Sequence, residues 1–91
     1  MNSDNLFNAL ADPTRREILK LLQGGDLTPG ELHERFTITK PSLSHHLDLL
    51  KRAGLVITER KGQFIHYSLN MSVFDEVTML VLDLFKKRGS V

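Results

Sequence analysis

Ninety-one residues with a net charge of +1 and no cysteine leave room for one small domain, which oligomerisation commonly supplements. The missing cysteines exclude a disulfide framework, thiolate metal sites and thiol redox sensing. The stretch 1–16 lacks the basic region and apolar core of a signal peptide. No apolar run approaches the roughly 18 residues of a membrane span, so a soluble, cytoplasmic protein is expected.

The charge is unevenly placed. Residues 1–38 carry four basic and six acidic side chains; residues 39–68 carry five basic and two acidic; residues 69–91 balance at three each. A polyanion would therefore be met, if at all, by the middle third. An excess of three charges is a weak signal alone.

In chain order, Leu6, Phe7 and Leu10 form a short amphipathic turn or two. Asp12-Pro13 then reads as an N-cap followed by proline at the first helical position, where a missing N–H costs nothing. Ile18, Leu19, Leu21 and Leu22 make an apolar face, and Gly24-Gly25 ends that helix. "TPGE" (Thr28 to Glu31) is a capping box that opens a short helix through Phe36. After the tight connection "TITK", Thr39 caps a further helix with Leu43, Leu47 and Leu50 on one stripe. This helix ends where Gly54 can take a left-handed conformation. The period then changes. Leu55 to Arg60 is β-branched and extended, Lys61-Gly62 is the turn, and Gln63 to Leu69 alternates, predicting a hairpin with a basic tip. Ser72, with Asp75 three residues on, caps a last helix to about Lys87, where basic residues suit its C-terminal dipole.

Two short helices joined by a tight turn, followed by a hairpin, make a winged helix-turn-helix. The expected fold is mainly α with a small β-hairpin, in the order α-α-α-α-β-β-α, as one domain over residues 1–91. Three separated blocks, "FNALADPTRREILKLL", "SHHLDLLKRAGLV" and "RKGQFIHYSLN", together resemble the ArsR family of winged-helix transcriptional repressors. The resemblance spans nearly the whole chain. It implies a homodimer that represses transcription by occluding an operator. An inducer or inhibitory partner protein is compatible with it.

Three chemistries compete for the stretch around Ser42, Ser44, His45 and His46. Catalysis needs a hydroxyl and an imidazole that converge, with a third group orienting the imidazole. Helical neighbours diverge by about 100° and no oxyanion donors accompany the pair, so no enzyme is expected. For metal, the resemblance points to two cysteine positions in one branch of the family. Here His33 and Arg35 stand there, and an arginine is no ligand. Another branch uses Asp and His on the last helix; Asp75 and Asp83 are present, but no histidine follows Tyr67. His45 and Asp48 share a face as half a site at best. Neither metal nor cofactor is expected, and the chain looks closest to the metal-free, SdpR-like members.

Double-stranded DNA is the favoured partner. With Leu43, Leu47 and Leu50 buried, Pro41, Ser44, His45, Asp48 and Arg52 point outward, Ser42 lies to one side, and His46 flanks the stripe as a structural residue. Recognition helices offer their N-terminal residues to base edges, so Ser42, Ser44 and His45 are the candidate readers. Thr39 and Lys40, with Pro41, sit where a helix N-terminus suits phosphate. Asp48 would repel phosphate unless it accepts from a cytosine amine or pairs with Arg52. Arg60, Lys61 and Gln63 would lie along the backbone or minor groove, and Arg15 and Arg16 either reach phosphate or stay in solvent. The rival is a winged-helix module that binds an acidic protein partner instead of DNA.

The last helix is apolar on two faces, Val73, Val77, Leu80, Val81 and Leu84 on one and Phe74, Val81, Leu82 and Phe85 on a second. So small a chain cannot bury both, and leftover apolar surface marks a partner. Leu6, Phe7 and Leu10 with Phe74, Val77, Leu80, Val81 and Leu84 are the expected symmetric dimer interface.

Overall fold

The computed structural model describes residues 3–89, and the side chains of residues 5–86. Its elements are α1 (Ser3–Leu10), α2 (Pro13–Leu22), α3 (Pro29–His33), α4 (Lys40–Arg52), β1 (Val56–Lys61), β2 (Phe64–Leu69) and α5 (Met71–Gly89). This is the expected order.

The caps explain why the helices begin where they do. Asp12 accepts from the backbone N–H groups of Thr14 and Arg15 ahead of Pro13. Thr28 and Glu31 form a reciprocal capping box: the Thr28 hydroxyl accepts from the Glu31 N–H at 3.2 Å, and the Glu31 carboxylate accepts from the Thr28 N–H at 2.9 Å. The Thr39 hydroxyl accepts from the Ser42 N–H and starts α4. Each side chain satisfies a donor that the helix cannot.

Ile18, Leu19 and Leu22 of α2, Leu32 of α3, and Leu43, Leu47 and Leu50 of α4 close the core with Leu6, Ala9, Ala53, Leu55 and Val56. Gly54, with φ +79°, makes the left-handed exit from α4 expected of it. β1 and β2 pair antiparallel from Val56↔Leu69 to Lys61↔Phe64.

Several boundaries differ from expectation for identifiable reasons. The register leaves Gly62 and Gln63, not Lys61 and Gly62, as the two-residue turn. Positive φ at Gly62 alone (+63°) suits a type II′ turn, which takes glycine first. α3 stops at His33, because Arg35 and Phe36 bond back only three residues, to Leu32 and His33. The strand starts one residue after Leu55, whose N–H is still engaged by Leu50. α5 begins at Met71, so Ser72 lies inside its first turn rather than capping it. Asn70 takes the entry position instead: its carbonyl accepts from Val73 and Phe74, and its side-chain amide donates to the Gly54 carbonyl at 2.9 Å. The entry to α5 is thereby tied to the exit of α4. The Lys87 and Arg88 side chains, expected to suit the dipole of α5, lie outside those described.

A third partner of the hairpin was not expected. Leu27, in the α2–α3 connection, exchanges both backbone hydrogen bonds with Tyr67 (3.0 and 2.8 Å), an antiparallel bridge on the free edge of β2. The base of the wing is thus fastened to the helical body. No helix among the described residues is long and apolar enough to cross a membrane.

Candidate nucleic-acid interface

The site is built on α4. Its leucine stripe is buried, which fixes the rotation of the helix about its axis and leaves Thr39, Lys40, Pro41, Ser44, His45, Asp48, Lys51 and Arg52 exposed. Ser42 and His46 are half-buried at the edge. The candidate readers Ser44 and His45 thus sit in the first two turns on the outer side, with Ser42 beside them. Asp48 pairs with Arg52, Oδ2 to Nε 2.9 Å. That pairing answers the charge problem that Asp48 raises for a DNA-facing helix, since its carboxylate is matched within its own helix.

Behind this face lies a buried arginine. Arg15 is 8% exposed. Its Nε donates to the Ala9 carbonyl at 2.9 Å and its Nη2 to the Asn8 carbonyl at 2.8 Å, while Nη1 lies 3.2 Å from His46 Nδ1. A guanidinium can only donate, so Nδ1 must be the acceptor and the imidazole proton belongs on Nε2. Asp12 stands 3.8 Å from the same Nδ1. Arg15 therefore reaches neither phosphate nor open solvent: it caps the C-terminus of α1 and holds α4 through His46. Arg16 remains exposed, with Nη1 donating to the Leu10 carbonyl. His33 is not a free surface group either, since its Nε2 lies 2.7 Å from the Ile38 carbonyl and must donate to it. Among the described residues, no three His, Asp or Glu side chains come together as a metal site.

At the wing, Arg60, Lys61 and Gln63 are exposed, and so is Phe64 beside them, which the alternating pattern did not single out. Lys61 is engaged, however: its Nζ donates to Asp26 Oδ2 at 3.0 Å, and His66 Nδ1 lies 2.8 Å from the same oxygen. The ammonium donating to it holds the Asp26 carboxyl below its ordinary range, and the bond raises Lys61 in return. Tyr67, on the opposite face of the hairpin, is half-buried. Burial, and secondarily the negative charge of Asp48, keeps its hydroxyl above the ordinary value. Sequence patterning missed Asp26 and Leu27, because a single extended residue between two helices has no period to detect.

Along α5, Val73, Phe74 and Val77 pack on the core, but Met79, Leu80, Val81, Leu82, Leu84 and Phe85 are exposed. At the other end of the chain Leu6 is 1% exposed, inside the chain's own core, whereas Phe7 is 61% exposed. Leu6 and Leu10 share the inward stripe of α1 with Ala9, and Phe7 points about 100° away from Leu6. The outward apolar contribution of α1 is therefore Phe7, with Leu10 half-buried, rather than Leu6.

Residues 10–59 match a family model described as a helix-turn-helix domain. The chain is 51% identical over 84 residues to the transcriptional repressor SdpR of Bacillus subtilis strain 168, covering 92% of this chain and 93% of that one. It is 39% identical over 72 residues to the arsenical resistance operon repressor of Staphylococcus xylosus, covering 79% and 69%. A crystal structure of an ArsR family transcriptional regulator superposes with a TM-score of 0.87 at 30% identity, covering 97% of this chain and 91% of that one. Matches this extensive in sequence and in fold, with α4 and the hairpin in place, make the chain a member of the ArsR family of DNA-binding, winged helix-turn-helix transcriptional repressors.

Proposed function

We propose that the chain acts as a cytoplasmic homodimer that reads an inverted-repeat operator and represses by occluding it, with no catalytic activity of its own. The carrying observation is the rotation of α4: its leucine stripe is buried and Ser44 and His45 are left exposed in its first two turns, with Ser42 half-buried beside them. Hydroxyls and a neutral imidazole can each donate to or accept from base edges in the major groove. Thr39 and Lys40 at the N-terminus of α4 take a phosphate, where the helix dipole and the lysine charge favour an anion, and Pro41, with no N–H to donate, lies beside it. Arg60 and Gln63 place the wing along the backbone.

The second copy covers the outer half of α5. Six large apolar side chains exposed between Met79 and Phe85 form a surface too apolar to face water in a monomer. Phe7, with Leu10 beside it, and the exposed Leu80, Val81 and Leu84, with the half-buried Phe74 and Val77 at their inner edge, supply the self-complementary contact, as a two-fold axis requires. Two-fold symmetry then sets the half-sites about one helical turn, roughly 34 Å, apart. Selection of bound sequences from random duplex DNA at one fixed salt concentration tests this reading. The expected outcome is an enriched inverted repeat with that spacing. No enrichment, together with binding to an acidic protein surface, would favour the protein-interaction module.

A further inference from the structure

Asp26 stands outside the expected DNA-contacting set, yet it organises the wing. It lies one residue before Leu27, whose backbone pairs with Tyr67 on the free edge of β2. Its Oδ2 meets two groups from two strands, Lys61 Nζ at 3.0 Å and His66 Nδ1 at 2.8 Å. His66 Nδ1 is shielded from solvent and makes no well-aligned hydrogen bond among the described residues; the Asp26 carboxylate lies nearest to it, and Glu31 also acts on the ring electrostatically. Glu59 faces His66 across the strands.

The register shows which side of the hairpin each cation occupies. Side chains alternate along a strand. Lys61, Glu59, His66 and Phe64 therefore share one face, while Arg60, Thr58, Ile65 and Tyr67 share the other. The second face is the one turned to the helical body that α4 lines, since it continues inward to Val56, which is buried in the core with the α4 leucines, and to Leu69, which packs against it as Tyr67 does. Adjacent cations at the wing tip thus point to opposite sides. Arg60 lies on the side of α4, and Lys61 is held against the α2–α3 connection.

We propose that Asp26 positions the wing and masks one of its two cations, withholding Lys61 from the DNA backbone so that Arg60 alone makes the phosphate contact at the tip. This rests on the reading of the wing as a backbone contact. A phosphate contact is independent of sequence. The masking therefore lowers affinity for every duplex alike, and Asp26 sets how tightly the protein holds DNA without altering which bases it prefers.

The test is a salt titration of binding to a labelled 30-base-pair duplex of arbitrary sequence. The proteins are wild type, Arg60→Ala, Lys61→Ala, Asp26→Asn and the double variant Asp26→Asn/Lys61→Ala. All the changed side chains are exposed, and thermal melts confirm that each variant is folded. Each phosphate contact contributes about one unit to the slope of log affinity against log salt. Arg60→Ala is expected to lower the slope magnitude by about one unit per subunit, and Lys61→Ala to leave it unchanged. Asp26→Asn should tighten binding a few-fold and steepen the slope by about one unit per subunit. The double variant, which has the net charge of wild type, should return to the wild-type slope.

If Arg60→Ala lowers the slope and Lys61→Ala lowers it equally, Lys61 is not withheld. The inference is then overturned while the wing reading stands. A gain from Asp26→Asn that persists without Lys61 would come from removing the carboxylate itself, and overturns the masking too. If Arg60→Ala leaves the slope unchanged, the wing reading falls and takes the inference with it.

Discussion

Replacing Arg15 with alanine removes the side chain that joins α1, α2 and α4. In the wild type its guanidinium makes one fully buried bond to the Ala9 carbonyl and two part-buried ones, to the Asn8 carbonyl and His46. Asn8 and Ala9 belong to the last turn of α1, whose carbonyls have no partner within the helix, although the Asn8 carbonyl also accepts from the Ala11 N–H. A hydrogen bond from a charged donor contributes about 1.5–3 kcal/mol, and a neglected buried carbonyl costs about 1–3 kcal/mol. Relief of guanidinium desolvation offsets part of this, and the two peripheral acceptors recover some water. The net loss should be about 3 kcal/mol, near the value for breaking a buried polar network. For a domain of this size that corresponds to a fall in Tm of roughly 12–24 °C. Urea denaturation at fixed protein concentration measures it. Arg15→Lys is the control, since an ammonium keeps the charge at the C-terminus of α1 but its donors radiate from one nitrogen and cannot match acceptors that the guanidinium reaches from three. It should recover only part of the loss. An Arg15→Ala variant within about 0.5 kcal/mol of wild type, the range of an ordinary surface change, would refute the reasoning. So would full recovery by lysine, because charge alone would then be the cause.

Three further outcomes are expected. Leu80→Asp should leave a folded chain that sediments as a monomer at micromolar concentration, because a charge buried against apolar surface costs several kcal/mol; a wild type that is itself monomeric would remove the dimer proposal. His45→Ala should relax base preference by roughly 1–3 kcal/mol for each base pair the imidazole reads, while leaving non-specific binding nearly intact; equal weakening on all duplexes would instead assign His45 to anchoring. The third concerns acid. The Thr28 backbone N–H donating to it holds the Glu31 carboxyl below its ordinary value of 4.5. A depressed carboxyl contributes stability that is present above its unfolded value and lost as pH falls through the folded one. Glu31→Gln should therefore be less stable than wild type at pH 7, and the two urea midpoints should converge as pH falls through the lowered carboxyl's titration. Parallel curves down to pH 3 would show that the capping box carries no charge-dependent stability.

The elements were legible because their signals are local. Asp12-Pro13, Thr28-Pro29 and Thr39 announce helix starts through side chains that act within three residues, and the structure places each cap there. The leucine stripe of α4 fixed its rotation, and with it the set of outward residues. Long-range uses of the same residue types were not legible. Nothing near Arg15 in sequence distinguishes a buried bracket from a solvent arginine, because its acceptor on α4 is 31 residues away. Lys61 read as a free cation for the same reason, its carboxylate lying 35 residues upstream. Ser72 misled because Ser-x-x-Asp resembles a cap wherever it falls. The entry to α5 was decided instead by Asn70, whose amide had a carbonyl to bond across the fold.

The four histidines show how the structure narrows the choice of reader. His33 donates to the Ile38 carbonyl, His46 accepts from Arg15, and His66 sits against Asp26, so each is occupied in holding one element to another. A group that reads a base must exchange water for the base edge without first breaking a bond on which the fold depends, since the abandoned partner is left unsatisfied. His45 meets that condition. It is exposed, and its aromatic neighbour is the His46 ring, 6.1 Å away at a tilt of 54°. His46 in turn is fixed by Arg15, so the residue next to His45 is held by the bracket that closes α1. Rigidity behind and freedom in front are what a base-reading side chain requires: the helix cannot roll, and the imidazole can still choose its tautomer to suit a donor or an acceptor. Both properties of the pair "HH" follow from the roughly 100° between neighbours on a helix, which turns one ring to the arginine and leaves the other exposed.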